Sequence, residues 1–125
     1  MKKKAQCGRP PGQIPKHLMR SHKINISLCP RDVKALDYIA DELEASHSYA
    51  LRMSLKTWQN KKTRKAHPNA LMNEKFVKAY LFGINDAENE SLEELRHNTA
   101  LTRMKIVRSG IWTLYETLKE MNDDA

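Results

Sequence analysis

The stretch Lys23–Leu55, KINISLCPRDVKALDYIADELEASHSYALRMSL, constrains the fold more than any other part of the chain. Ile24, Ile26 and Leu28 alternate with Lys23, Asn25 and Ser27, which puts the two sets on opposite faces of a strand over residues 23–29. Pro30 ends that strand and suits the first turn of a helix. Val33, Leu36, Ile39, Ala40 and Leu43 then recur at three- and four-residue spacings, one apolar stripe of a helix over residues 30–45. Ser46-His47-Ser48 interrupts the stripe and offers an N-cap hydroxyl. A second helix follows to about Lys62, with Ala50, Leu51, Ser54, Leu55 and Trp58 inward. One strand with two open edges and two short helices bury too little apolar surface to offset chain entropy. A second copy of the unit, pairing strand with strand, is the economical way to complete the core.

In the strand INISL, the helix ALDYIADEL and the turn-plus-helix SHSYALRMSL, residues 22–60 resemble the ribbon–helix–helix family of Arc/MetJ/CopG-type DNA-binding proteins. The turn glycine usual in that family is missing, and Ala45 or Ser46 occupies the bend. The resemblance implies a mostly α fold and a homodimer, in which a two-stranded intermolecular antiparallel ribbon enters the major groove. The outward residues Lys23, Asn25 and Ser27 would read bases: lysine donates to guanine O6/N7, asparagine bridges adenine N6/N7, and serine serves either. The start of the second helix would anchor on phosphate through free N–H groups, the positive dipole end, Ser46, His47 and Ser48. Arg52 either joins that contact or pairs with a carboxylate of the first helix. Ile24, Ile26, Leu28, Leu36, Ile39, Leu43, Leu51 and Leu55 would form the dimer core.

The charge distribution agrees with an anionic partner. Residues 1–67 hold 15 Lys/Arg and 5 Asp/Glu, whereas residues 68–125 hold 7 and 10, so the net charge of +7 is concentrated in the front half. Residues 1–22 are rich in Lys, Arg, Pro and Gly without periodicity, as in a flexible basic arm carrying Lys2, Lys3, Lys4 and Arg9. Gly8-Arg9-Pro10 is similar to the core of an AT-hook, although a generic tail touching phosphates accounts for it more simply. Residues 23–62 then form the DNA-binding module and 63–68 a basic linker.

After Pro68 the pattern changes. Leu71, Met72, Phe76, Ala79, Tyr80 and Gly83 recur at helical spacing and predict a helix over 69–83. Asp86–Glu90 reads as an acidic turn, and Ser91-Leu92-Glu93-Glu94 as a capping box opening another helix. Its stripe continues through Leu95, Met104, Val107, Ile111, Leu114, Leu118 and Met121, with a break near Asn98-Thr99 or Gly110. Residues 69–125 are therefore expected to be a helical extension for oligomerisation or for a protein partner.

An internal offset of 56 residues is the alternative: it lays Tyr80, Phe82 and Ile84 over Ile24, Ile26 and Leu28, and 102–108 over 46–52. The chain would then be a tandem pseudo-dimer, as in some conjugation proteins of the same superfamily. Against it, Ala79, Leu81 and Gly83 would be the second reading face and cannot hydrogen-bond bases.

No phosphate loop, catalytic constellation or metal-ligand spacing stands out, so no enzyme, cofactor or metal is expected; a Cys7/His17/His22/Cys29 zinc set fits no usual module. No run of about 18 apolar residues exists, the basic N-terminus lacks an apolar signal core, and two cysteines make no disulfide framework. Those features predict a cytoplasmic protein, and the ribbon–helix–helix resemblance implies a nucleoid-associated one of a prokaryote, plasmid or phage. Three roles fit: a repressor, a plasmid mobilisation accessory protein that helps recruit a relaxase, and an antitoxin whose C-terminal half binds a toxin.

Overall fold

Alternation in β1 (His22–Leu28) buries Ile24, Ile26 and Leu28 and leaves Lys23 and Asn25 exposed, with Ser27 half-buried. In the computed structural model, which describes residues 19–60, 65–72 and 74–123, Cys29 caps the helix that follows. That helix is α1 (Pro30–Leu43), and the Asp32 carboxylate accepts the Cys29 backbone N–H at 3.2 Å. The Ser46 hydroxyl accepts the Tyr49 N–H at 3.1 Å to open α2 (His47–Gln59).

The helix expected over residues 69–83 does not form. A short 3-10 turn, Pro68–Leu71, leads instead to β2 (Lys78–Ile84), which pairs antiparallel with β1. Leu71, Met72 and Phe76 supplied the helical spacing, yet all three are exposed and line no core face. Tyr80, Phe82 and Ile84 alternate inward instead, with Phe82 opposite Ile24 and Tyr80 opposite Ile26. The open edge of β1 offers partners for every ladder N–H and C=O, and that tertiary demand overrides local spacing. The ribbon is thus made within one chain, not between two. Residues assigned to a dimer core, Ile24, Ile26, Leu28, Leu36, Ile39, Leu51 and Leu55, are buried in this chain's own core, with Leu43 half-buried at its margin.

The next helix also begins earlier than expected. Asn85 and Glu88 form a reciprocal capping box, so Asp86–Glu90 is the first turn of α3 (Asp86–Thr99) rather than a loop, and Ser91 lies inside the helix. Asp86 and Glu88 there sit at the positive end of the helix dipole. α4 (Arg103–Asp123) then runs unbroken through Gly110.

Strand, helix and helix therefore occur twice. Their first residues, 22 and 78, 30 and 86, 47 and 103, each differ by 56. Each unit even turns between its helices on a non-glycine residue of positive φ, Glu44 at 50° and Ala100 at 60°. The strand register places Asn25 opposite Leu81, its own counterpart at that offset. Helices α2 and α4 come into close contact at the counterparts Ser54 and Gly110, where a Cβ on Gly110 would lie 2.2 Å from the Ser54 carbonyl oxygen. A local pseudo-twofold axis passes through both pairs.

One buried network ties the halves together. Arg108 Nε of α4 donates to Asp32 Oδ2 of α1 at 2.7 Å, with side chains 4% and 1% exposed. Trp112 Nε1 donates to the other Asp32 oxygen at 2.8 Å. The remaining guanidinium donors hold the crossover segment, Nη1 to the Ala70 carbonyl at 2.9 Å and Nη2 to the Asn69 carbonyl at 3.2 Å. Pairing in such a dry site is strong only while both charges are present.

Arg108→Met should lower unfolding free energy by about 3–5 kcal/mol, because it strands the Asp32 carboxylate in the core. Gly110→Ala should lose about 1–3 kcal/mol through overpacking of the helix crossing. Glu44→Gly and Ala100→Gly should each gain about 1 kcal/mol by removing left-handed strain. Urea unfolding followed by circular dichroism measures all four.

Candidate nucleic-acid interface

The ribbon turns one face to its helices and the other outward. On the outward face Lys23 lies opposite Gly83, Asn25 opposite Leu81 and Ser27 opposite Ala79. Lys23, Asn25, Ala79 and Leu81 are exposed, and Ser27 is half-buried. The expected base-reading residues thus share one surface, and β2 contributes apolar neighbours to it.

Gly83 is buried because the segment entering β1 crosses it. Arg20 Cβ and its carbonyl oxygen both lie 3.0 Å from where a Gly83 Cβ would sit, and Lys23 Nζ lies at 3.4 Å. A side chain at position 83 would have to displace that backbone, so glycine lets the entering segment lie across the outward face. The result gathers Arg20 and Lys23 at one end of the ribbon. At the other end exposed Lys78, opposite Leu28, sets its ammonium 5.1 Å from the centroid of the Tyr80 ring.

The helix starts are organised alike at both repeats. His47 follows the Ser46 cap and is 2.8 Å through Nε2 from Asp37 Oδ1, with its ring tilted on Tyr80 at 5.5 Å, so the start of α2 lies beside β2. At the start of α4 the Thr102 hydroxyl accepts the Lys105 N–H at 3.2 Å, and Arg103 makes two hydrogen bonds to Glu93, at 3.0 and 2.7 Å. Arg103's hydrogen bond, reinforced by the charges of Arg103 and Arg96, holds the Glu93 carboxyl below the usual carboxylate range. Each start therefore combines a capping hydroxyl with a cationic or imidazole group already steadied by a carboxylate. Ser48 is half-buried in the first turn of α2.

Arg52 is half-buried on α2. Burial, with the charge of Arg20 added, lowers its pKa from the usual value, and Glu88 of α3 opposes that shift. Its carboxylate neighbour thus comes from the second repeat, not from α1. Arg52 and Glu88 are the counterparts, at the 56-residue offset, of Arg108 and Asp32.

Lys2, Lys3, Lys4 and Arg9 lie outside the described residues, as do Cys7 and His17. Of the zinc set weighed above, Cys29 is buried, which pushes its thiol pKa up, and His22 is 2.6 Å from Asp86. Among the described residues no group of three or more His, Cys, Asp and Glu side chains could hold a metal ion. No helix among them is long and apolar enough to cross a membrane.

Sequence reasoning left Arg20, Leu81, Thr102 and Arg103 out of the candidate interface. The 56-residue offset was the signal for the last three, since it lays Leu81 on Asn25, Thr102 on Ser46 and Arg103 on His47. Much of the positive charge of the sequence is concentrated in two short stretches: residues 1–18 carry five Lys/Arg and residues 61–65 four, with no Asp/Glu in either.

No family model, curated protein or solved structure matches this chain.

Proposed function

We propose that this chain is a sequence-specific double-stranded DNA-binding protein of the ribbon–helix–helix kind, without enzymatic activity, in which one chain supplies both halves of the ribbon. The observation that carries this proposal is the paired strand β1–β2, whose outward face holds Lys23, Asn25 and Ser27 and beside which the capped start of α2 lies. The face enters the major groove. Lys23 donates to guanine, Asn25 brackets adenine, and Ser27 accepts or donates according to the base. The helix starts at Ser46–Ser48 and Thr102–Lys105 meet phosphates on either side, where unpaired N–H groups and the helix dipole favour an anion. Basic residues at 1–18 and 61–65 add salt-sensitive affinity without sequence information.

Because β1 and β2 differ along their outward faces, the DNA site should be non-palindromic and filled by one chain. Binding such a site within a promoter excludes the transcription machinery, so a cytoplasmic, nucleoid-associated transcriptional repressor is the role we favour. A plasmid mobilisation accessory protein is the second role, favoured by one observation: two strand–helix–helix units on a single chain, an arrangement that resembles conjugation proteins of that superfamily. An antitoxin role loses ground, because Val107 and Ile111 of the C-terminal half are fully buried in the chain's own core.

Selection of bound duplexes from a random pool at near-physiological salt tests the proposal. An enriched, asymmetric site occupied by one chain supports it; retention without a motif that collapses as salt rises refutes sequence reading. On the enriched site Asn25→Ala should lose about 1–3 kcal/mol of binding free energy and far less on random DNA. Fluorescence anisotropy titrations on both duplexes measure the difference.

A further inference from the structure

We propose that Leu81 is a specificity-determining residue that reads a thymine methyl group at the centre of the DNA site; this rests on the ribbon reading proposed above. Leu81 is 61% exposed on a face whose other large side chain at the strand centre is the polar Asn25. The inward face of β2 is already filled by Tyr80, Phe82 and Ile84, and Leu81 is not among the residues packed on the core. An apolar side chain held in water at the middle of the ribbon gains nothing from core burial. It is suited to a surface that is itself partly apolar.

The floor of the major groove offers one such group, the C5-methyl of thymine. Residues directly opposite in an antiparallel pair have Cβ atoms about 4.5–5.5 Å apart. Asn25 and Leu81 are such a pair, so an amide and an isobutyl group stand side by side. An A·T pair displays the complementary arrangement across the groove, the N6/N7 edge of adenine beside the methyl of its thymine. The match is to A·T rather than G·C, because cytosine carries only a C5 hydrogen where Leu81 would meet the methyl, and guanine offers O6 where Asn25 would meet the N6 amino group.

The pair also sits on the pseudo-twofold axis, so it meets the central base pair. There an asparagine opposite its own copy would place two amides over one base pair. The Asn25–Leu81 combination distinguishes the two strands of the DNA at that position, which assigns the protein one orientation on its site. Ala79, exposed beside Leu81 on the same strand, continues the apolar strip toward the Ser27 end.

The test removes only the methyl. In the enriched duplex, central thymine is replaced by deoxyuridine, which keeps every hydrogen bond and deletes the C5-methyl. Wild-type protein should bind the deoxyuridine duplex about fourfold more weakly, the value of one buried methyl. Leu81→Ala should bind the two duplexes equally, whereas Asn25→Ala should keep the fourfold preference. Leu81 is on the surface, so the alanine variant folds, and circular dichroism verifies this.

Equal binding of both duplexes by wild type overturns the inference while leaving ribbon reading intact. So does a fourfold preference that survives in Leu81→Ala. Loss of a chain–chain association in Leu81→Ala, seen by sedimentation, with thymine discrimination unchanged, also overturns it, since Leu81 would then serve self-association. Failure to enrich any sequence overturns both proposals together.

Discussion

Everything in the fold depends on Asp32 and Arg108 finding each other. The carboxylate belongs to the first turn of α1 and the guanidinium to the middle of α4, 76 residues apart, and neither can be buried alone. Meeting in the core, they leave no polar atom of the pair idle: Asp32 also accepts from Cys29 N–H and Trp112, and Arg108 also donates to the carbonyls of Asn69 and Ala70. The network therefore fixes three things at once. It sets the N-terminus of α1, the position of α4 across it, and the path of the crossover that delivers β2 to β1. A ribbon with a defined register follows from that path. Val77, the last residue before β2, donates its N–H to the Leu28 carbonyl at 2.8 Å and begins the pairing.

The two halves are equivalent in backbone and unequal in chemistry. Leu36 and Ile39 correspond to Leu92 and Leu95, Leu51 and Leu55 to Val107 and Ile111, and every one is buried. Apolar positions are thus copied. Other positions diverge: the site of buried Trp112 in one unit is exposed Lys56 in the other, and the site of Tyr38 is Glu94. Tyr38, Trp112 and Tyr115 consequently form an edge-to-face aromatic cluster on one side of the axis, at centroid separations of 5.2 and 5.4 Å, with no aromatic counterpart on the other. The apolar positions shared by both cores match, and positions outside that shared set differ between the units.

This division explains what the sequence made legible. Lys23–Leu55 was readable because its elements are amphipathic with clean periods, and β1, α1 and α2 fall within a few residues of where those periods put them. Its demand for a second strand–helix–helix unit was also readable. The location of that unit was obscured by two things. Exposed Leu71, Met72 and Phe76 imitated a helical stripe ahead of β2, and Ala79-Leu81-Gly83 gave β2 an outward face too apolar to look like alternation. The capping box at Asn85 and Glu88 was hidden behind a second candidate at Ser91, which the structure rejects: the reciprocal Asn85–Glu88 hydrogen bonds start the helix five residues earlier. Lys23, Asn25 and Ser27 could be grouped from sequence because a strand's faces follow from counting. Arg20 could not, since only the close approach to Gly83 brings it onto the ribbon.

The crossing of Ser54 over Gly110 has an evolutionary consequence. In a homodimer the residue on the axis meets itself, so any substitution there is made twice and against its own image; a serine in place of this glycine would bring a Cβ onto the facing carbonyl from both sides. Joined in one polypeptide, the two positions are separate codons. One could remain glycine and keep the helices in contact while the other kept a hydroxyl that bonds back to the Ala50 carbonyl at 2.8 Å. A single chain lets the axis, the place where a symmetric dimer is least able to change, vary one side at a time.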